Sequence, residues 1–195
     1  MWFIKENYTL FNCVDSMKTI KDKEASIKSR LLNISKIREV DYNALLRHYF
    51  QERFLARLAV SQFKNFFILK GSFLFLAYNI PGSRLTQDID FLGRTISSDY
   101  KILIPVFREI AEIKLDDGVI FDVQKIETAI IKESAKYQGQ RIYIPCSMGS
   151  IKNRIQIDIG FGDKLTKQPM EIELLSLISE NANSRLNAYY LETAL

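Results

Sequence analysis

Histidine and cysteine are scarce in this chain of 195 residues, which has one histidine, His48, and two cysteines, Cys13 and Cys146. A Ser-His-Asp triad requires a histidine beside a nucleophile, and a zinc site requires several His or Cys ligands at short spacing. Neither cysteine has another Cys or a His at such a spacing. The composition therefore argues against both kinds of site, and His48 is predicted to be a surface or core histidine. Isolated cysteines are typical of a reducing, cytoplasmic location.

Long apolar runs are also missing. No stretch approaches the roughly 20 apolar residues that a membrane span needs, and Lys5 and Glu6 interrupt the aromatic N-terminus before it could form a signal-peptide core. The formal net charge is only +4. This mild excess is compatible with a nucleotide or RNA partner without demanding one. No membrane partner is expected.

Three segments follow from the pattern of charge and hydropathy. Residues 1–16 are predicted to be a poorly ordered extension, with Met17 as the natural start. Residues 17–65 are predicted to form an N-terminal helical segment, and residues 66–195 a single core, because no repeat or long linker divides them. With 47% hydrophobic residues, the chain is long enough for one solid core.

One predicted helix begins after Asp41, a residue type that commonly caps a helix N-terminus. Its apolar residues recur at steps of three and four, the period of a helix packed on one face: Leu45, Leu46, Tyr49, Phe50, Phe54, Leu55 and Leu58. The polar residues between them are predicted to form a solvent-exposed face: Arg47, Gln51, Glu52, Arg53 and Arg57.

The remaining pattern mixes helices and strands, which predicts an α+β fold. A second long helix is expected over residues 100–115. Short apolar or alternating runs bounded by turn residues predict the strands. These cover residues 66–69, 88–92, 119–123, 129–132, 140–145 and 154–161.

The stretch 67–92 is the centre of the functional prediction. A buried strand breaks at Lys70-Gly71-Ser72, a short apolar helix follows, and a second strand carries Asp88 and Asp90. Gly71 permits close backbone approach, and Ser72 is predicted to cap the helix. Residues two apart in a strand point to the same side, so Asp88 and Asp90 can both reach bound ions. Carboxylate oxygens suit Mg²⁺ or Mn²⁺.

A third carboxylate lies far downstream in the clearest alternation of the chain. Ile155, Ile157 and Ile159 share one predicted face, which places Asp158 on the other. Gly160 adds no side-chain bulk beside it. Three carboxylates on neighbouring strands would complete a site for two-metal phosphoryl or nucleotidyl transfer.

Taken together, these motifs resemble the nucleotidyltransferases of the AbiEii/AbiGii toxin type, within the DNA polymerase β-like nucleotidyltransferase superfamily. The resemblance runs from about Ser26 onward, and several segments carry it. These are residues 26–36, 52–61, 66–75, 155–163 and the Arg84-x-Thr86-x-Asp88-x-Asp90 segment.

The resemblance implies a nucleotidyltransferase-type mixed β-sheet flanked by helices, and it assigns roles to the motif residues. The catalytic and metal-binding residues would be Asp88, Asp90 and Asp158. The nucleotide-binding residues would be Gly71, Ser72, Lys70, Arg84 and Thr86. For Lys70 and Arg84, a structural salt bridge is an equally good alternative.

The implied function is an Mg²⁺-dependent (or Mn²⁺-dependent) nucleotidyltransferase of the abortive-infection, phage-defence or type IV toxin–antitoxin kind. It would transfer a nucleotide from an NTP to an acceptor hydroxyl on tRNA or another RNA. Asp88 and Asp90 would hold the ions, and Asp158 would help to activate the hydroxyl. A cognate antitoxin is an expected partner.

One departure from the family concerns the C-terminus. Family members continue past a Tyr-x-Leu-Glu-Thr segment into a helix with Ala-Glu-Lys, whose lysine contacts the nucleotide, and then into a helical half. This chain stops at Leu195. The resemblance therefore implies a truncated chain in which Leu186, Tyr189, Tyr190 and Leu195 lack their usual cover, which would favour oligomers.

Two alternatives stay open. The first is a catalytically incomplete remnant that binds nucleotide or an antitoxin without turnover. The second is another Asp-x-Asp enzyme, a haloacid-dehalogenase phosphatase or a glycosyltransferase. The dehalogenase motif has Thr or Val where this chain has Leu92, and neither class explains the upstream Gly-Ser helix.

Overall fold

The computed structural model describes residues 23–78, 84–132, 138–162 and 168–190. The predicted extension, the start at Met17 and the terminal Leu195 lie outside these ranges. Within them, no helix is long and apolar enough to cross a lipid bilayer.

Helices and strands alternate irregularly along the described chain, which confirms the predicted α+β class. The helices are α1 (23–37), α2 (Tyr42–Val60), α3 (Ser72–Ala77) and α4 (Tyr100–Glu112), with short 3₁₀ helices at Lys64–Phe66 and Val123–Lys125. The strands are β1 (Phe67–Lys70), β2 (Asp88–Gly93), β3 (Ile120–Phe121), β4 (Glu127–Lys132), β5 (Gln138–Met148), β6 (Ile151–Phe161), β7 (Met170–Leu174) and β8 (Ser184–Ala188).

All of these strands join one mixed sheet in the order β3-β5-β6-β2-β1-β8-β7, and β4 also pairs with β5. The pairs β2–β6 and β1–β8 are parallel, and the other pairs are antiparallel. This arrangement confirms the expected mixed sheet. It also places β2, the strand of Asp88 and Asp90, near the middle of the sheet.

The core lies between one face of the sheet and helices α2 and α4. Alternate residues of β6, including Ile157, are fully buried on this face. Phe67 of β1 packs edge-on against Phe107 of α4, and Phe107 stacks on Phe54 of α2. Each fully buried side chain of this size contributes roughly 1.5–3 kcal/mol. Because alternation sends apolar residues to this face, the polar residues of the central strands lie on the other.

Helix α2 begins as predicted but buries more than one face. The Asp41 carboxylate accepts a hydrogen bond of 2.8 Å from the Ala44 N–H, which confirms the N-cap. The predicted solvent-exposed polar face is wrong, because four of its five members are at most 3% exposed: Gln51, Glu52, Arg53 and Arg57. The apolar stripe of α2 packs on the sheet, and the polar stripe is covered by segments 113–119 and 175–183.

The single histidine is a core residue. The His48 ring stacks on Phe73 of α3 with 5.0 Å between centroids, and burial, together with the charge of Arg38, lowers its pKa to about 4. Burial also raises the pKa of the Cys146 thiol to about 12. Both side chains are therefore neutral at pH 7.

The C-terminal part of the sheet differs from the prediction. Strands β7 and β8 were not expected, and β8 inserts between β1 and β7. Leu186 is fully buried in β8, so the prediction that it lacks cover is wrong; Tyr189 and Tyr190 are partly buried. The expected strand over 119–123 is shortened to β3 because a 3₁₀ helix begins at Val123.

Candidate active site

A row of four charged residues crosses the centre of the sheet. Lys70 of β1 is the register partner of Asp90 of β2. Asp90 is in turn paired with Asp158 of β6, and Asp158 is paired with Arg141 of β5. Register partners point to the same face of a sheet, and neighbouring strands lie about 4.7–4.9 Å apart. The four side chains therefore line up on the polar face in the order plus, minus, minus, plus.

Asp88 lies two residues before Asp90 on the same face and completes a cluster of three carboxylates. One oxygen each from Asp88, Asp90 and Asp158 lies within 4.8 Å of the other two, and all three residues are partly buried. The structure thus brings together the three residues predicted to be catalytic and metal-binding. Half-buried carboxylates this close repel one another, which a bound divalent cation would relieve.

Gly71 joins the Gly-Ser motif to this cluster. A Cβ atom at position 71 would lie 2.2 Å from Asp90 Oδ2, and Gly71 has φ +70° and ψ −160°, a conformation that essentially only glycine adopts. Only glycine lets the chain pass so close to the carboxylate. The prediction that Ser72 caps α3 is wrong, because Gly71 occupies the cap position without a side-chain bond and Ser72 is the first helical residue.

Thr86 supports the cluster from below. Thr86 is 5% exposed. Its Oγ1 lies 3.1 Å from two oxygens of Asp88, the side-chain Oδ1 and the main-chain carbonyl oxygen, and its one hydroxyl proton can be donated to either. Thr86 therefore holds Asp88 in place. Arg84, in contrast, is exposed at the start of the segment leading to β2, and Lys70 is partly exposed beside Asp90.

Arg141 was not predicted, yet it makes the strongest contacts in the site. Its Nε and Nη2 donate to the two carboxylate oxygens of Asp158 at 2.7 and 2.6 Å, and these hydrogen bonds to the carboxylate raise the pKa of Arg141. The Gln156 amide lies between this pair and Asp88. The Gln156 amide can be placed in two orientations. With its oxygen toward Arg141 it accepts hydrogen bonds of 3.0 and 3.2 Å, and with its nitrogen toward Asp88 and Asp158 it donates longer ones of 3.3–3.4 Å.

The donor set fits a hard divalent cation. A carboxylate offers about four lone-pair sites, so Asp158 can bind Arg141 and still coordinate an ion. The described residues supply three carboxylates and no Cys or His at this position, which suits Mg²⁺ or Mn²⁺ better than zinc. A separate cavity of about 670 Å³ among α1, α2 and the segment before β8 contains none of these residues.

Comparison with solved structures finds proteins of low sequence identity. Two crystal structures share similarity with the chain: JHP933 from Helicobacter pylori (15% identity, TM-score 0.48, 79% of this chain and 55% of that chain) and an H. pylori protein described as a candidate nucleotidyltransferase (14% identity, TM-score 0.47, 80% and 57%). The chain thus spans little more than half the length of either protein. No curated protein matches it.

A family model decides the assignment. The model described as nucleotidyl transferase AbiEii toxin, type IV toxin–antitoxin system, matches residues 53–195. This range contains every residue of the charged row and the carboxylate cluster, and it covers well over half of the chain. The chain belongs to the AbiEii family of nucleotidyltransferase toxins.

Proposed function

We propose that this chain carries a metal-dependent nucleotidyl transfer site that moves a nucleotide from an NTP to an acceptor hydroxyl. The observation that carries the proposal is the carboxylate cluster. Asp90 and Asp158 are register partners on adjacent parallel strands, Asp88 lies beside them, and their oxygens approach within 4.8 Å. Such a cluster is costly without a cation, and nucleotidyl transfer is a reaction that uses one or two such cations.

Asp88, Asp90 and Asp158 would hold Mg²⁺ or Mn²⁺, which would neutralise phosphate charge and orient the phosphoryl oxygens. The triphosphate would lie on the β1 side of the cluster. There Gly71 leaves room beside Asp90, Ser72 begins α3, and Lys70 faces the same side. Arg84, exposed before β2, is free to reach a phosphate.

The transfer itself exchanges one P–O bond for another. The acceptor oxygen attacks the α-phosphorus, the bond to the oxygen bridging the α- and β-phosphates breaks, and pyrophosphate leaves with that electron pair. Asp158 lies on the side of the cluster away from Gly71 and takes the hydroxyl proton. Arg141 keeps the Asp158 carboxylate oriented toward that hydroxyl.

The acceptor and partners form the outer part of the proposal. The acceptor is tRNA or another RNA, and a cognate antitoxin counteracts the toxin in the cytoplasm during phage defence. The family description, which places these toxins in type IV toxin–antitoxin systems, supports the antitoxin. Residues 17–65 act as the helical segment that supports a nucleotidyltransferase core over residues 66–195.

The test compares metal binding with transfer. Asp90→Asn should abolish Mn²⁺ binding followed by electron paramagnetic resonance, and it should abolish incorporation of each labelled NTP into a mixed tRNA and RNA pool. Asp116→Asn is the matched control, because the Asp116 side chain is 93% exposed and lies outside the site. Transfer that survives Asp90→Asn contradicts the assignment. Binding of Mn-NTP without incorporation by the wild type favours the remnant that binds without turnover.

A further inference from the structure

An exposed arginine stacks on a tyrosine close to the carboxylate cluster. The Arg154 guanidinium carbon lies 4.2 Å from the centroid of the Tyr143 ring, and the Arg154 side chain is 56% exposed. Tyr143 is the register partner of Gln156, which is the partner of Asp88. The stacked pair therefore stands on the same face of the sheet as the cluster, with the ring two strand spacings, or roughly 10 Å, from Asp88.

The pair lies on the side of the cluster from which an acceptor must approach. If the triphosphate lies beside Gly71, the attacking hydroxyl comes from the opposite direction, over β6 and β5. Tyr143 is two residues from Arg141 along β5, about 6.6–6.8 Å. This assignment of the acceptor side rests on the proposed function, because the proposed function places the triphosphate beside Gly71.

Two exposed basic side chains lie at this end of the polar face. They are Arg154 and Lys152, which precedes Arg154 by two residues on the same face of β6, whereas the positive charge of Arg141 on the neighbouring strand is paired with Asp158. Among the described residues, Glu127 is the acidic residue in ion-pair contact with Arg154, at 4.0 Å, and its side chain is 71% exposed. An exposed planar cation on an aromatic ring, flanked by a lysine, matches a nucleobase next to a phosphate.

We propose that Tyr143 and Arg154 form an acceptor platform that binds the terminal nucleotides of a single-stranded nucleic acid. A base stacks on the exposed side of the Arg154 guanidinium, which Tyr143 holds in place. Lys152 contacts a backbone phosphate. The terminal hydroxyl then reaches Asp158. The strand must be single, because paired bases are already stacked and present no free face.

Equilibrium binding of labelled oligonucleotides tests this platform without relying on catalysis. Fluorescence anisotropy would compare a single-stranded RNA, a DNA of the same sequence and the corresponding duplex, in the absence of NTP and metal. Base stacking typically contributes about 1–3 kcal/mol, so Tyr143→Ala and Arg154→Ala should each weaken single-strand binding at least about fivefold. Tyr143→Phe keeps the ring and should bind like the wild type.

The salt dependence separates stacking from phosphate contact. Loss of one phosphate contact lowers the slope of log K against log salt by about 0.7 for a single strand. Lys152→Ala should lower the slope by this amount, whereas Tyr143→Ala should leave it unchanged. Arg185→Ala is the matched control, because Arg185 is an exposed strand arginine paired with Glu173 at 3.7 Å on β8 and β7. It should leave affinity within about twofold.

Three outcomes would overturn the platform. The first is unchanged single-strand affinity in folded Tyr143→Ala and Arg154→Ala. The second is equal binding of the duplex, which would indicate a non-specific basic surface. The third is dissociation of a dimer by Arg154→Ala in analytical ultracentrifugation, which would indicate a contact between copies. A preference between RNA and DNA identifies the acceptor's sugar. Because Mn²⁺ binding by the carboxylates is measured separately, the platform and the proposed function can fail independently.

Discussion

Two bidentate arginine–aspartate pairs lie in contrasting regions of this molecule. Arg57 of α2 donates to Asp117 at 2.7 and 3.1 Å, and the two side chains are 3% and 1% exposed. Arg141 donates to Asp158 at 2.7 and 2.6 Å, and these side chains are 34% and 17% exposed. The chemistry of the two pairs is the same, so their surroundings must decide what each does.

The buried pair is part of a network that ties α2 to distant segments. Asp117 also accepts from the Val119 N–H, and Arg57 donates to the Arg53 and Val119 carbonyls. Its neighbour Glu52 accepts from the Leu177 N–H at 2.8 Å. Each charge is thereby compensated, as burial requires. The network fixes the loops before β3 and β8 and pairs its charges within the protein.

The half-exposed pair is compensated incompletely. Asp158 lies beside Asp88 and Asp90. These three negative charges are flanked on the sheet by two positive charges, those of Arg141 and Lys70. A structural network has no need for this surplus. A surplus of accessible negative charge therefore distinguishes the proposed reactive region from the supporting region, where the charges are buried and paired.

The largest expected effect comes from breaking the buried pair. Arg57→Ala leaves Asp117 as an unpaired buried charge, and we expect it to lower the free energy of unfolding by about 3–5 kcal/mol. Urea unfolding followed by circular dichroism measures this loss. Arg185→Ala, which removes an exposed pair, should cost less than about 1 kcal/mol. Similar losses in the two variants would contradict the contrast between buried and exposed pairs.

The second effect is a pH dependence in the buried region. Burial lowers the pKa of His48 to about 4 in the folded protein, whereas an unfolded histidine titrates near 6.5. Between these values the unfolded chain binds a proton that the folded protein does not. The free energy of unfolding should therefore fall as the pH drops from about 6.5 to 4, by on the order of 3 kcal/mol.

Urea unfolding of wild type and His48→Leu at pH 7, 5.5 and 4 isolates this contribution. The variant lacks the titrating group, so the wild type should lose stability relative to the variant as the pH falls. Parallel curves would show that His48 does not titrate in this window. His48 stacks on Phe73 of α3, the helix that begins at the Gly-Ser motif. The same variant therefore tests whether the His48 ring stabilises the packing of this helix.

A pair of glycines gives the third comparison. Gly71 and Gly118 have φ of +70° and +71°, but an added Cβ would meet Asp90 Oδ2 at 2.2 Å in the first and Ile27 Cδ1 at 3.4 Å in the second. Both alanine variants should lose roughly 1–3 kcal/mol of stability through backbone strain. Only Gly71→Ala should also displace Asp90 and weaken Mn²⁺ binding, by about tenfold or more. Equal metal binding in the two variants would show that Asp90 is not a ligand.

The sequence was sufficient to predict that the three carboxylates lie together on one face, because each lies in a strand with a clear local alternation of apolar and polar residues. The alternation of Ile155, Ile157 and Ile159 placed Asp158 on the polar face. Arg141 was missed, although a signal existed. Gly149 and Ser150 form a two-residue hairpin turn between β5 and β6, and this turn sets Met148 opposite Ile151. Counting outward from the turn brings Arg141 opposite Asp158.

Other features could not be predicted because they depend on contacts distant in sequence. Periodicity indicates which face of α2 is apolar, but it cannot reveal that segments near Asp117 and Leu177 bury the other face. Strand β8 has only Leu186 as a large apolar residue, and it forms because β1 and β7 offer edges on both sides. Such pairings arise from the whole fold and leave little local trace.

A smaller effect on stability than that of Arg57→Ala, and the sharpest test of the difference between the two pairs, comes from Arg141→Ala. The side chains of this pair are 34% and 17% exposed, so its loss should lower the free energy of unfolding by roughly 1 kcal/mol. The same change removes a positive charge that contacts Asp158, one of the proposed ion ligands. Removing a unit charge about 6 Å from a divalent ion in a water-like medium favours the ion by about 1.4 kcal/mol, or tenfold in affinity. Mn²⁺ should therefore bind the variant about tenfold more tightly.

Nucleotide transfer should move in the opposite direction, because Asp158 loses the partner that orients it. Arg141→Lys separates charge from orientation. It keeps the positive charge, so Mn²⁺ affinity should stay near that of the wild type, while transfer should still fall because lysine cannot hold both oxygens of Asp158. Weaker Mn²⁺ binding in Arg141→Ala would mean that the guanidinium organises the carboxylates for the ion. The half-exposed pair would then be a structural pair like Arg57 and Asp117, and the distinction between the two regions would fail.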